Sequence, residues 1–141
     1  MQTENHAAVA DLREQLAQIC DTGYALALHI RFTRPTILFR TYAEAWLTEY
    51  SERGLMLRDP VVIWGMTHSG YVYWDTLDDP EQVLAGAARH GILNGLTCSV
   101  GPAASRSISG FSRSSGPFSA EEAGYLLELT QKLHDLTAAE T

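Results

Sequence analysis

The chain has 141 residues and a mass of 15.5 kDa, the size of one domain with its own hydrophobic core. Hydrophobic residues make up 45% and charged residues 19% of the sequence, and these ordinary values exclude a disordered chain. The net charge of −7 argues against a nucleic-acid-binding module, because such modules use an excess of basic side chains to bind phosphates. We therefore expect no direct nucleic acid binding by this chain.

The chain also lacks the sequence signs of membrane insertion or export. Its apolar runs are only a few residues long, whereas a membrane-spanning helix needs about 20 apolar residues. The first ten residues hold no basic segment of the kind that opens a secretory signal. Two cysteines, Cys20 and Cys98, are too few for a disulfide framework. We expect a protein of the reducing cytoplasm that has no membrane partner.

The first half of the chain predicts a helix, a hairpin and two more helices. Apolar residues recur at helical spacing over 7–19, and the Asp-Thr-Gly cluster that follows ends the helix. Residues 24–32 and 36–42 have the apolar, β-branched and aromatic composition of strands, and a short turn at 33–35 predicts an antiparallel hairpin. The two helices that follow are predicted at 43–53 and from Asp59-Pro60 through Trp64 or Met66.

The second half alternates strands and helices again. The predicted elements are a strand at 71–74, a helix at 78–90, strands at 95–100 and 106–113, and a helix from 119 to the end of the chain. Ser119 and Glu122 have the spacing of a capping box, which opens that last helix. Hairpins dominate, helices lie between them, and no linker divides the chain. We therefore predict one α+β domain over 1–141, an α/β/α sandwich whose central antiparallel sheet of about five strands has helices on both faces.

Several kinds of chemistry find no support in the sequence. None of the five histidines lies at a compact spacing from another histidine or from a cysteine, so we predict no metal site. There is no G-x-S-x-G elbow, no glycine-rich phosphate loop and no visible pair of nucleophile and base. We therefore predict no catalytic residues, no cofactor and no enzyme activity.

The most informative segment runs from Tyr42 to Trp74. Tyr42, Trp46 and Tyr50 follow one another at i, i+4 and i+8, so they share one face of a helix. Such a stripe either belongs to the core or lines a pocket. Asp59 either caps the helix that begins at Pro60 or places a carboxylate in an apolar pocket, where it needs an N–H partner; the two roles are compatible.

The spacing of Tyr42, Trp46, Tyr50, Asp59-Pro60 and Trp74 resembles the autoinducer-binding domain of LuxR-type quorum-sensing regulators. Further resemblances lie in 91–97 (a G-x-x-x-G-hydrophobic-T strand entry), in the serine strand 109–112 and in the leucine-rich last helix. Together they extend over 7–137. The resemblance implies an α/β/α sandwich of the GAF/PAS-like kind and an N-acyl-homoserine lactone as the ligand, bound in a buried pocket.

The resemblance also implies a role for each matching residue. Trp46 would donate to the lactone carbonyl, Asp59 would accept the amide N–H, and Tyr42 would donate to the acyl carbonyl. Trp74 would pack on the lactone ring, Tyr50 would line the acyl pocket, Thr97 would lie near the head group, and Ser112 would assist the acyl carbonyl. The candidates for the apolar wall around the acyl tail are Ala25, Ala27, Leu38, Val61 and Val62.

Regulators of this type continue into a helix-turn-helix domain, for which no sequence remains after the last helix here. The chain would then be either a sensor fragment or a natural sensor-only protein. The resemblance implies a homodimer. A sensor-only chain could instead pair with a full-length regulator and inhibit it, or the chain could bind a different small molecule. The surface of the helix after Ser119 is the candidate for that contact.

Overall fold

The computed structural model describes residues 3–138, and within them the ten elements follow the predicted order. The helices are α1 (Thr3–Ile19), α2 (Glu44–Glu52), α3 (Pro60–Thr67), α4 (Val83–Arg89) and α5 (Ala120–Leu136). The strands are β1 (Tyr24–Arg31), β2 (Arg34–Arg40), β3 (Gly70–Tyr73), β4 (Leu96–Val100) and β5 (Arg106–Phe111). Short 3-10 turns cover Leu55–Arg58, Trp74–Thr76 and Ala103–Ser105. Beyond residue 138, the predicted last helix lies outside the described residues.

All five strands form one antiparallel sheet in the order β2-β1-β5-β4-β3. Helices α1 and α5 pack on one face of it, and α2, α3 and α4 lie on the other. The α/β/α prediction is therefore confirmed.

The face under α1 and α5 carries the main core. Apolar residues at helical spacing on both helices meet inward-facing residues of β1, β4 and β5, since alternate residues of a strand point to the same face. Fully buried leucines such as Leu16, Leu26 and Leu133 each stabilise the fold by roughly 1.5–3 kcal/mol. Ser119 and Glu122 form the predicted capping box at the start of α5.

The β1–β2 hairpin turns earlier than predicted. Arg31 pairs with Arg34, so the turn holds only Phe32 and Thr33 instead of residues 33–35. Pro35 lies within β2, where it is tolerated because β2 is an edge strand and its neighbour β1 lies on one side only. The prediction was wrong because it took proline as a turn residue.

Helix α4 also differs from its prediction, since it begins at Val83 and not at residue 78. Gln82 has a left-handed backbone (φ 56°), which interrupts a helix at that point. Asp79 still acts as a cap from outside the helix: its carboxylate accepts from the backbone N–H groups of Val83 (2.8 Å) and Ala85 (3.0 Å).

Two histidines that are far apart in the sequence stack inside the fold. The rings of His29 and His134 have centroids 4.1 Å apart. Ser105 bonds to Nδ1 of His29 at 2.7 Å, and Ser107 bonds to Nδ1 of His134 at 2.7 Å. Burial and the neighbouring His29 lower the pKa of His134. The pair ties α5 to the sheet, and no local spacing in the sequence predicts it.

Candidate ligand-binding site

On the sheet face opposite α1 and α5, the side chains in the middle of the sheet are small. One row across this face pairs Ala25 with Arg40 on β2 and with Gly110 on β5, and Gly110 in turn pairs with Thr97 on β4. The next row on the same face is made of Leu38, Ala27, Ile108 and Ser99. Because Ala25, Ala27 and Gly110 lie in the middle of the sheet, no large side chain fills the space above them.

A cavity of about 270 Å³ occupies this space. The sheet forms one wall, and α2, α3, α4 and the Leu55–Arg58 turn form the other. The five residues predicted for the acyl wall all line it: Ala25, Ala27, Leu38, Val61 and Val62. Of the seven predicted ligand-binding residues, six line it as well: Tyr42, Trp46, Tyr50, Asp59, Trp74 and Thr97.

Tyr42 and Trp46 each bring a hydrogen-bond donor to this cavity. The Tyr42 hydroxyl lies over Gly110, where an added Cβ would be 2.9 Å from the hydroxyl oxygen. The Trp46 ring packs against Gly86 of α4 and meets the Tyr50 ring edge-on at a centroid distance of 5.9 Å. Neither the Tyr42 hydroxyl nor the Trp46 indole N–H has a hydrogen-bond partner among the residues that the structure describes.

Asp59 joins the cavity to the start of α3. Its Oδ1 accepts from the backbone N–H of Val61 at 3.0 Å, so the residue caps the helix as predicted. Its Oδ2 accepts from the Tyr50 hydroxyl at 2.8 Å. The residue is only 6% exposed, and this burial raises the pKa of Asp59 from 3.8 to about 6, against the opposing effect of the two hydrogen bonds. Near pH 7 a largely ionised carboxylate therefore lies in an apolar pocket.

The tyrosines beside Asp59 stay protonated. Burial raises the pKa of Tyr42 well above its usual range. Burial raises the pKa of Tyr50 as well, and the negative charge of the nearby Asp59 carboxylate raises it further. Tyr50 therefore acts on Asp59 as a hydrogen-bond donor and holds the carboxylate in place. We call the cluster of Tyr42, Trp46 and Asp59 the polar end of the cavity.

Trp74 and Thr97 form a fixed pair next to the polar end. The Trp74 indole N–H donates to the Thr97 hydroxyl at 2.8 Å, and Thr97 is fully buried. Gly95 lies directly against the Trp74 ring, where any Cβ would overlap the indole. Because its N–H is already bonded, Trp74 can offer only its ring surface to a ligand.

Ser112 does not line the cavity, contrary to its prediction. Its hydroxyl donates to the Gly23 carbonyl at 3.1 Å and lies 2.7 Å from the Thr22 hydroxyl. Ser109 on β5 lines the cavity, yet its hydroxyl bonds to Thr130 of α5 at 2.7 Å on the opposite face. The serine-rich strand therefore supplies no hydroxyl to this site.

Other lining residues have no recognisable signal in the sequence. They include Phe32, Arg40, Met56, Leu57, Met66, Val83 and Ala87. They come from five elements and turns that only the tertiary fold brings together.

Over residues 3–138 the structure shows no group of three or more His, Cys, Asp or Glu side chains suited to a metal ion. In the same range no helix is both long and apolar enough to cross a membrane.

Comparison with known proteins agrees with this geometry. The chain is 34% identical to the regulatory protein SdiA of Escherichia coli strain K12 over 92 residues, which are 62% of this chain and 38% of SdiA. The chain thus spans less than half the length of that relative. A crystal structure of Escherichia coli SdiA superposes with a TM-score of 0.75 at 23% identity, covering 99% of this chain and 63% of that one.

Two more structures share the fold. One is SdiA in complex with octanoyl-rac-glycerol, with a TM-score of 0.74 at 23% identity over 99% of this chain and 61% of the other. The second is CepR2 of Burkholderia cenocepacia, an N-acylhomoserine lactone dependent LuxR family transcription factor. It superposes with a TM-score of 0.70 at 19% identity, covering 96% of this chain and 84% of that one. The family model of the autoinducer binding domain matches residues 6–136. The resemblance to LuxR-type sensors is thereby confirmed, and the chain belongs to the autoinducer-binding domain family.

Proposed function

We propose that this chain is the ligand-sensing domain of a LuxR-type regulator and binds an N-acyl-homoserine lactone in the cavity. The observation that carries the proposal is the polar end. Two donors, on Tyr42 and Trp46, lack partners among the described residues and lie beside the buried Asp59 carboxylate. The rest of the cavity wall is largely apolar.

The ligand's head group complements this arrangement. An acyl-homoserine lactone has one amide N–H, an acyl carbonyl and a lactone carbonyl. In the proposal Asp59 accepts the N–H, while Tyr42 and Trp46 donate to the acyl and lactone carbonyls. Trp74 packs on the lactone ring. Leaving one of these buried groups unpaired costs about 1–3 kcal/mol, so the full set discriminates strongly between head groups.

The relatives support an acyl ligand in two forms. CepR2 is described as N-acylhomoserine lactone dependent, and SdiA forms a complex with octanoyl-rac-glycerol. An acylglycerol is therefore the second candidate ligand. It shares the acyl tail and the acyl carbonyl with the lactone but has hydroxyl groups in place of the amide N–H.

Calorimetric titration with octanoyl-homoserine lactone and octanoyl-glycerol, which share one tail, tests the proposal. We expect saturable one-to-one binding, with the lactone bound more tightly because its N–H pairs with the Asp59 carboxylate. Trp46→Phe removes one donor and should weaken lactone binding by roughly ten-fold or more. Trp64→Phe is the matched control, since Trp64 stacks on His68 (5.0 Å between centroids) and does not line the cavity. No saturable binding of either ligand by the folded protein would refute the proposal.

We also propose a protein partner, either a second copy of the chain or a full-length regulator. One side of α5 is buried on the sheet through Ala123, Leu126, Leu129 and Leu133, so only its outer surface is open to a partner. Light scattering of the purified chain, and co-purification with a full-length relative, measure these two states. A monomer at all micromolar concentrations that captures no relative would count against both.

A further inference from the structure

Three large apolar side chains in the cavity wall are also exposed to solvent. Phe32, Leu38 and Leu57 all line the cavity, yet they are 96%, 46% and 69% exposed. We call these three residues the rim. Large apolar side chains that are exposed together mark a surface that binds something. Since the rim is continuous with the cavity wall, its natural occupant is the part of the ligand that reaches the rim.

Phe32 is unusual in its backbone as well as in its exposure. It is the first residue of a two-residue hairpin turn and has a φ of 61°. That position favours glycine, and a bulky side chain there is strained. Packing of the ring does not offset this strain, because nearly all of its surface is exposed. The hairpin tip thus holds an aromatic ring that contributes little to folding, which points to a role in binding.

The length of β1 sets the size of the ligand that could reach this ring. The polar end lies above Gly110, which pairs with Ala25 at the start of β1. From Ala25 to Phe32 the strand advances by about 23 Å, at roughly 3.3 Å per residue. Each carbon–carbon bond of about 1.5 Å advances an extended tail by less than its own length. A hexanoyl tail therefore ends near Ala27 and its cross-strand partner Leu38, and only a tail of about fourteen carbons comes within reach of the Phe32 ring.

We propose that the rim binds the far end of a long acyl chain, so that this protein selects ligands with about fourteen or more acyl carbons and Phe32 is a specificity-determining residue. The proposal rests on the proposed function. The tail covers the exposed faces of Phe32 and Leu57, and Phe32 closes over the tail end. Each methylene that enters the rim should strengthen binding by up to roughly four-fold.

The test measures dissociation constants for straight-chain acyl-homoserine lactones from butanoyl to tetradecanoyl. For the unmodified protein we expect affinity to rise through dodecanoyl and tetradecanoyl. For Phe32→Gly we expect hexanoyl binding within about two-fold of the unmodified protein and tetradecanoyl binding weakened by roughly ten-fold. Glycine suits the turn, so this variant should keep the hairpin. Tyr71→Ser, which removes an exposed aromatic ring from β3 outside the cavity, is the matched control and should leave the series unchanged.

The other outcomes overturn the proposal in distinguishable ways. Affinity that stops rising at hexanoyl, or a Phe32→Gly loss that is equal for all chain lengths, refutes the role of the rim and leaves lactone binding intact. If Phe32→Gly dissociates a dimer without changing the chain-length series, the rim is a protein contact instead. If no lactone of any length binds the unmodified protein, the proposed function fails and this inference fails with it.

Discussion

Asp59 is the residue at which folding and the proposed binding make opposite demands. Burial raises its pKa to about 6, so the ionised form that prevails at neutral pH is destabilised in the folded protein. The Tyr50 hydroxyl and the Val61 N–H offset part of this cost. A ligand N–H would add a third hydrogen bond to the same carboxylate. The ionised carboxylate therefore destabilises the free protein, and it would stabilise the complex by accepting the ligand's N–H.

Asp59→Asn should separate these two effects. The folded pKa of about 6 lies above the unfolded value of 3.8, so the folded state binds more protons between these values and stability falls as pH rises through that window. Asparagine also caps helices and carries no charge. We expect the variant to raise the free energy of unfolding by roughly 1–3 kcal/mol at pH 7 and by almost nothing near pH 4, as measured by urea denaturation at both pH values.

The same variant should bind octanoyl-homoserine lactone at least ten-fold more weakly at pH 7, because a charged acceptor is lost. Asp11→Asn, which changes an exposed carboxylate on α1, is the control and should leave both stability and affinity unchanged. A destabilised Asp59→Asn variant at pH 7 would show that the carboxylate is a structural cap whose charge costs nothing.

Residue spacing predicts the polar end but not the whole site. Trp46 and Tyr50 lie one turn apart on α2, while Tyr42 lies in the bend before the helix and does not share the helix face predicted for it. All three still line the cavity with Asp59, because they are close to one another in the sequence. Ser112 could not be placed in this way. It lies just after the last residue of β5, and its neighbours Thr22 and Gly23 come from the distant start of β1.

The sheet is the element that makes the cavity, because the side chains in its middle are small. At Gly110 an added Cβ would lie 2.9 Å from the Tyr42 hydroxyl oxygen and at ordinary distances from Trp74 (3.6 Å) and Thr97 (3.9 Å). The close neighbour is the far end of a side chain beside an open cavity. It can move without disturbing the backbone of the sheet.

Gly110→Ala should therefore impair binding more than folding. We expect the free energy of unfolding to change by less than about 1 kcal/mol, and lactone affinity to fall by ten-fold or more because the Tyr42 donor is displaced. Gly124→Ala on α5 is the matched control. Its Cβ would meet nothing within 4 Å, so it should stabilise the helix by up to about 1 kcal/mol and leave binding unchanged. Gly110→Ala with unweakened lactone binding would exclude Tyr42 from the site.

The element order follows from the sequence, while two boundaries do not. Apolar periodicity and turn residues identify all ten elements, because each one buries a face that its own residues define. The start of α4 and the turn of the first hairpin depend on left-handed backbone at Gln82 and Phe32. Neither residue type favours that conformation, so local propensity does not predict these two boundaries.

At the scale of the whole molecule, the two sides of the sheet are packed unequally. The large core between the sheet and α1 and α5 is filled by buried residues such as Leu16, Leu28, Phe111 and Leu133. The other side has a smaller buried cluster around Trp46, Leu55 and Val83, next to the cavity. A ligand would complete this second core. Binding in the cavity would therefore couple folding to the ligand through the same apolar surface.

Ala27→Leu tests this coupling, since Ala27 lines the cavity from the middle of the sheet. Without ligand, the larger side chain should fill part of the empty space and raise the free energy of unfolding by about 0.5–2 kcal/mol. In the unmodified protein, lactone at about 100 times its Kd should add roughly 2.7 kcal/mol, and the variant should lose most of that gain because its cavity is occupied. Denaturation with and without ligand measures both terms. Ala45→Leu, which adds the same atoms to an exposed position of α2, should keep the full ligand effect. If Ala27→Leu keeps it too, the ligand does not bind against the middle of the sheet.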